Sequence, residues 1–290
     1  MATPAQWLEG ARPRTLPAAV APVLAGTGVA AYLDQAVWWK AFLALVVALA
    51  LQVGVNYAND YSDGIRGTDA ERVGPLRLVG SGAATASSVK QAALTSFAVA
   101  ALFGLVLAIT TSWWLVLVGL VCIVAAWYYT GGRKPYGYMG LGEVMVFVFF
   151  GLVAVMGTTY VQTASLPLAS FLAASGVGAL ACAILVANNL RDIPTDREVG
   201  KRTLAVVLGE EHTRYLYAFL VVVAVIALLG VMVETTWLAV LALVFLVPAV
   251  PALRTVLGGT TGRGLVPVLQ RTGTAELFYA AGIFLALLIA

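Results

Sequence analysis

The chain has 290 residues, 61% of them hydrophobic and 11% charged, with a formal net charge of +3. Ordinary soluble domains are about 25% charged, and a soluble chain of this length leaves roughly a quarter of its surface in water. A soluble enzyme, a disordered chain and a nucleic-acid-binding domain are therefore excluded.

A helix crossing a bilayer needs about 20 mostly apolar residues, so the stretches between charges mark the spans. Residues 15–33 and 41–59 carry no charge and predict one helix each. Residues 91–132 and 144–190 are charge-free runs long enough to fold back once. The expected bends are Thr110-Thr111-Ser112 and the Thr163 to Pro167 segment. Residues 215–233, 235–253 and 277–290 add one helix each, with Glu276 near the start of the last. The expectation is an all-α membrane protein of nine transmembrane helices, a single domain over residues 1–290, with its termini on opposite sides. The loops on the N-terminal side hold every Lys and Arg except Lys40. An excess of positive charge marks the cytoplasmic side, so the N-terminus is expected there. Among the acids only Asp34 and Glu234 fall opposite. No clear cleavage site follows Arg12 and Arg14, so residues 15–33 are read as a retained helix. The longer loops, 61–89, 131–140, 191–212 and 254–273, lie on the N-terminal side. Loops beyond about 12–15 residues usually carry function, so function is expected on the cytoplasmic face.

Two acidic segments stand out in those loops. Asn56, Asp60 and Asp63 are spaced i, i+4, i+7, and Asn188, Asp192 and Asp196 are spaced i, i+4, i+8. On helices each trio shares one face, although Pro194 threatens the last turn of the second. The two segments lie four helices apart and end on the same side, which allows a parallel internal repeat. Facing carboxylates repel unless a cation lies between them. Carboxylate oxygens suit Mg²⁺, which takes one or two of them and completes its shell from water and substrate phosphates. For Asp69, Glu71 and Glu198 a solvated loop face explains the charge better. Arg66, Arg77, Arg133, Lys134, Arg191, Lys201 and Arg202 sit in the same loops. They are either topology-setting charges or anion-binding groups. Gly200-Lys-Arg-Thr is not a P-loop, because Thr195 replaces the required glycine and Arg202 the Ser/Thr. The glycines of Gly74 to Gly82 and Gly131 to Gly137 either admit phosphate to the backbone or simply turn it. Tyr57, Tyr61, Trp127, Tyr128, Tyr129, Tyr136 and Tyr138 form either an interfacial belt or a pocket wall. Cys122, Cys182 and His212 lack partners that would indicate a disulfide or a metal cluster.

These motifs resemble the UbiA superfamily of intramembrane aromatic prenyltransferases. The likeness is closer to its menaquinone branch, the 1,4-dihydroxy-2-naphthoate polyprenyltransferases. It rests on Arg12-Pro-Arg-Thr-Leu-Pro17, Asn56 to Asp69, Arg77-Leu-Val-Gly-Ser-Gly82, Arg133-Lys-Pro-Tyr-Gly137 and Asn188 to Leu204. The ubiquinone-type pattern would place a further acid at Gly67 and often one at Asn189, and both departures favour the naphthoate branch. The resemblance implies a UbiA-like helical bundle in a bacterial inner membrane. It implies Mg²⁺ held by Asp60, Asp63, Asp192 and Asp196, binding the diphosphate of a polyprenyl donor. It implies substrate contacts from Asn56, Asn59, Arg66, Arg77, Arg133, Lys134, Asn188, Arg191 and Arg202. Lys201 would act beside the leaving diphosphate, and 1,4-dihydroxy-2-naphthoate would be alkylated with loss of its carboxylate.

Other readings compete. A different aromatic acceptor would keep the superfamily and change the branch. A cation-coupled transporter would use paired carboxylates in a repeat, but the opposite face offers few polar groups for a permeation path. A CDP-alcohol phosphatidyltransferase would gather its acids on one segment, and here they are split between two.

Overall fold

The structure, a computed structural model, describes residues 2–67 and 76–290. Asp69, Glu71 and Gly74 lie outside the described residues. A short helix α1 (Pro4–Gly10) is closed by a capping box in which Thr3 and Gln6 satisfy each other's backbone. A 3₁₀ turn, Pro13–Thr15, leads into α2 (Pro17–Tyr32). Then follow α3 (Trp38–Arg66), α4 (Ala86–Thr110), α5 (Trp114–Tyr128), α6 (Gly142–Thr163), α7 (Leu168–Glu198), α8 (Leu204–Glu234), α9 (Trp237–Leu257) and α10 (Val266–Leu288). No strand occurs among the described residues.

Six of these helices, α3, α4 and α6 to α9, are long and apolar enough to cross a bilayer. They become seven if α1 and α2, bent by 48°, count as one span. Helix α5 is apolar but has only 15 residues, and α10 carries Arg271 and Glu276 within its 23. The chain is thus an all-helical, multi-pass membrane protein. Backbone groups in lipid must be satisfied internally, which is why helices are used to span it. The two expected bends fall between α4 and α5 and between α6 and α7, where Ala164 adopts a left-handed φ of 53° and Pro167 precedes the next helix.

Helix α3 packs along α4 and α7 along α8, while α10 packs against α2, α7 and α9 and α2 touches α3, α6 and α7. The bundle closes around α7. Its apolar window is 72% buried, against 28–39% in the other five long apolar helices, which makes it the central element. Small residues allow this. A Cβ on Gly151 of α6 would lie 2.7 Å from the Cα of Gly178 on α7. Outward-facing apolar side chains, among them Leu102, Ile109, Leu117, Leu120, Phe219 and Ile226, remain exposed and form a surface suited to lipid. At one end, Trp38, Trp39, Trp113, Trp114 and Trp237 are exposed like an interfacial belt. There Lys40 donates to Thr110 O (3.0 Å) and Thr111 Oγ1 (2.9 Å), and Tyr32 donates to Thr235 O (2.8 Å).

Gly151→Ala forces α6 away from α7 and should cost about 1–3 kcal/mol. The thermal midpoint in detergent is expected to fall. Gly157→Ala on the same helix meets open space and should leave the midpoint unchanged or raised.

Candidate active site

A cavity of about 1600 Å³ opens at the end opposite the tryptophans and runs into the bundle. Its inner part is lined by apolar side chains including Val47, Leu107, Leu115, Phe150 and Val161. Its outer part is lined by Arg12, Asn59, Asp63, Arg77, Asp192, Asp196 and Lys201. Charged and apolar walls are continuous, so one molecule with an anionic head and a hydrocarbon tail would fit both.

The first acidic segment is the last three turns of α3. Asp63 is buried and accepts a hydrogen bond from the Tyr138 hydroxyl. Arg77 Nη2 lies 3.5 Å and Lys201 Nζ 4.0 Å from its carboxylate. Lys201 also sits 4.5 Å above the Tyr138 ring, a cation–π contact. Asn59 accepts from Thr130 Oγ1 at 2.7 Å. Asn56 lines the cavity, but its Nδ2 is spent on Ala11 O (2.9 Å) and Thr15 Oγ1 (3.0 Å). Those two bonds bracket Arg12, held at a left-handed φ of 55°. Such strain persists only where the surroundings enforce it, and Asn56 supplies the clamp.

Asp60 stands differently from the expectation. It is fully buried but does not line the cavity, and its two oxygens accept from Leu78 N (2.7 Å) and Val79 N (3.0 Å). Leu78 is a fully buried plug whose side chain a Cβ on Gly10 would strike at 2.7 Å. In this structure Asp60 thus has both carboxylate oxygens occupied away from the cavity. It anchors the 76–79 segment, and that segment delivers Arg77 to Asp63.

The second segment stays helical through Pro194, so Asn188, Asp192 and Asp196 keep one face, and all three line the cavity. Arg191 donates to both oxygens of Asp192 at 2.7 Å and to Asn188 Oδ1 at 2.9 Å. Thr203 Oγ1 lies 3.5 Å from Asp196. Both motif helices end on a left-handed glycine, Gly67 and Gly200, each with φ 73°. Beyond Gly200 the chain turns back, and Lys201 N donates to Asp196 O at 2.8 Å. That reversal brings Lys201 over Asp63.

The remaining expected contacts are not brought to the cavity. Arg66 is exposed and staples the end of α3 to the carbonyls of Thr130 and Gly132. Arg133, Lys134 and Arg202 are exposed and do not line it. Among the aromatics, Tyr129, Tyr136 and Tyr138 line the wall, Tyr57 packs on Trp7, Tyr61 lies against Trp127 and Tyr128 is exposed. Burial pushes the Tyr136 phenol up, and it donates to Ala125 O at 2.7 Å. Arg12, Arg14 and Thr15 also line the cavity and were not anticipated as site residues. Their signal was the Arg12-Pro-Arg-Thr block placed directly before an apolar run.

Asp60→Asn removes an acceptor from a buried pair of N–H groups and should cost about 1–3 kcal/mol. A lowered thermal midpoint is expected, whereas Lys134→Gln, at an exposed position, should melt close to the parent.

A family model described as the UbiA prenyltransferase family matches residues 19–262. A relative from Mycobacterium tuberculosis, a 1,4-dihydroxy-2-naphthoate octaprenyltransferase, is 58% identical over 283 residues, covering 98% of this chain and 97% of its own. The Escherichia coli protein of the same name is 42% identical over 236 residues, 77% of this chain and 74% of its own. A solved UbiA homolog from Archaeoglobus fulgidus, bound to GPP and Mg²⁺, superposes with a TM-score of 0.74 at 15% identity, covering 98% of this chain and 100% of that one. The sequence matches, over a fold of the same kind, place this chain in the UbiA prenyltransferase family.

Proposed function

We propose that this chain transfers a polyprenyl group from a polyprenyl diphosphate to 1,4-dihydroxy-2-naphthoate, releasing CO₂ and giving demethylmenaquinol for menaquinone biosynthesis. The observation that carries the reading is the cavity whose acidic and basic mouth runs into an apolar interior. The 58% identity to a relative of that name supports the choice of acceptor.

The residues present fit Mg²⁺. Among the described residues no three carboxylates converge closely enough to hold an ion alone. Mg²⁺ needs only one or two, with the rest of its shell from phosphate and water. Asp63 with Asn59, and Asp192 and Asp196 with Asn188, would hold it. When bound, the ion would neutralise charge on the departing diphosphate.

The chain's own groups do the remaining work. Lys201, Arg77 and Arg12 present positive charge to the diphosphate at the cavity mouth. Arg191 keeps Asp192 aimed by its paired hydrogen bonds. The apolar interior holds the prenyl tail and keeps water from the allylic carbon, and the aromatic faces near Lys201 suit developing positive charge. The donor C–O bond breaks, a ring carbon of the acceptor forms the new C–C bond, and the carboxylate leaves as CO₂. The tail is insoluble and the head charged, so a site at helix ends serves both.

The proposal includes nine spans, α5, α10 and α2 joining the six longer helices. The N-terminus and the site face the cytoplasm of a bacterial inner membrane. The assignment of every Lys and Arg but Lys40 to the loops of one side in the sequence supports that orientation.

Detergent-purified protein with dihydroxynaphthoate, a short prenyl diphosphate and Mg²⁺ should yield a prenylated, decarboxylated product by mass analysis. Chelation should abolish it, and Asp63→Asn or Asp192→Asn should lower its rate by about 100-fold or more. A product with hydroxybenzoate only would overturn the branch. No product from any acceptor, with folded protein, would favour the transporter.

A further inference from the structure

Behind the cavity wall lies a buried polar pair that the mechanism above does not use. Glu143, in the first turn of α6, is 8% exposed and does not line the cavity. Its Oε1 accepts from Asn189 Nδ2 at 2.9 Å. Its Oε2 is buried with no hydrogen-bond partner among the described residues. A carboxyl withdrawn from water at such cost is poorly explained as packing. Asn189 itself lines the cavity.

The location of Asn189 is specific. On α7 it stands one turn after Leu185 and one turn before Asp192, and both of these also line the cavity. It therefore marks the boundary between apolar and charged wall. A prenyl diphosphate lying along the cavity would place its reacting C–O bond at that boundary, and the acceptor ring must approach there.

We infer that Asn189 accepts a hydrogen bond from a ring hydroxyl of the aromatic acceptor, and that Glu143 is the positioning residue that fixes its amide for this task. With Nδ2 given to a carboxylate oxygen, the amide cannot turn over without setting Oδ1 against another acceptor. Oδ1 is thereby kept as an acceptor, and the Glu143 carboxylate polarises it further. A hydroxyl bonded to it orients the ring and enriches its carbon nucleophile. Acceptors lacking the hydroxyl lose that contact, so the pair selects for hydroxylated aromatics. This rests on the hydroxynaphthoate reading above and deepens it.

The test is direct binding, with a non-hydrolysable prenyl diphosphate analogue and Mg²⁺ present. Two probes, 4-hydroxy-2-naphthoate, whose hydroxyl is remote from the carboxylate and free to donate, and 2-naphthoate, are titrated into the parent protein, Glu143→Gln and Asn189→Ala, each first checked for folding by its melt. The parent should prefer the hydroxylated probe by about tenfold. Both variants should lose that preference while binding 2-naphthoate and the diphosphate analogue as the parent does. Glutamine at 143 fills the same space but either donates or accepts, so it frees the amide to turn. If one variant does not fold, the other decides. Equal weakening of both probes would show a merely structural pair and overturn the inference. So would a preference that survives in the variants or is missing in the parent. Turnover of dihydroxynaphthoate by the parent, measured alongside, judges the proposed function separately.

Discussion

A carboxylate taken out of water must find a donor or a cation, and the charged end of this molecule is organised by that requirement. Asp63 draws Tyr138, Arg77 and Lys201 from three different segments onto one side chain. Asp192 takes the guanidinium of its own neighbour, Arg191. Asp60 takes two backbone N–H groups and with them fixes the segment that carries Arg77. Each acid thus orders the loop or helix end that satisfies it. The cations assembled in this way are those proposed to meet the diphosphate.

The bilayer sets the second constraint. Every helix must present apolar surface outward, so polar chemistry is confined to an interior cavity and to helix ends. Helix α7 is suited to the centre because its small residues let α6 approach at Gly151 and Gly178, as its burial shows. Its last three turns carry the second acidic trio into the cavity mouth. The same element therefore supplies the core contact and half of the candidate site. The left-handed Gly200 at its end returns Lys201 to the other half.

Helical periodicity correctly put each acidic trio on one face, and the charge-free runs correctly located the turns after Thr110 and Thr163. Periodicity did not resolve which part of that face points into the cavity. Asp60 and Asp63 are neighbours on α3, yet one faces a loop and the other the cavity. Arg133, Lys134 and Arg202 lie near the motifs in the chain, yet in the structure they are exposed and do not line the cavity. Arg12, well separated in sequence from both motifs, lines the cavity because Asn56 clamps the turn around it.

The sequence by itself determined the solvent in which this protein folds, the positions of its apolar helices and the two carboxylate motifs. Those follow from composition and from a local period, which need no knowledge of neighbours. Only the tertiary structure decided what each acid does. A carboxylate's role depends on which donors reach it, and those donors come from segments distant in the chain. The pairing of Asn189 with Glu143, across 46 residues, is of the same kind. No spacing rule connects them, and packing of α6 against α7 brings them together.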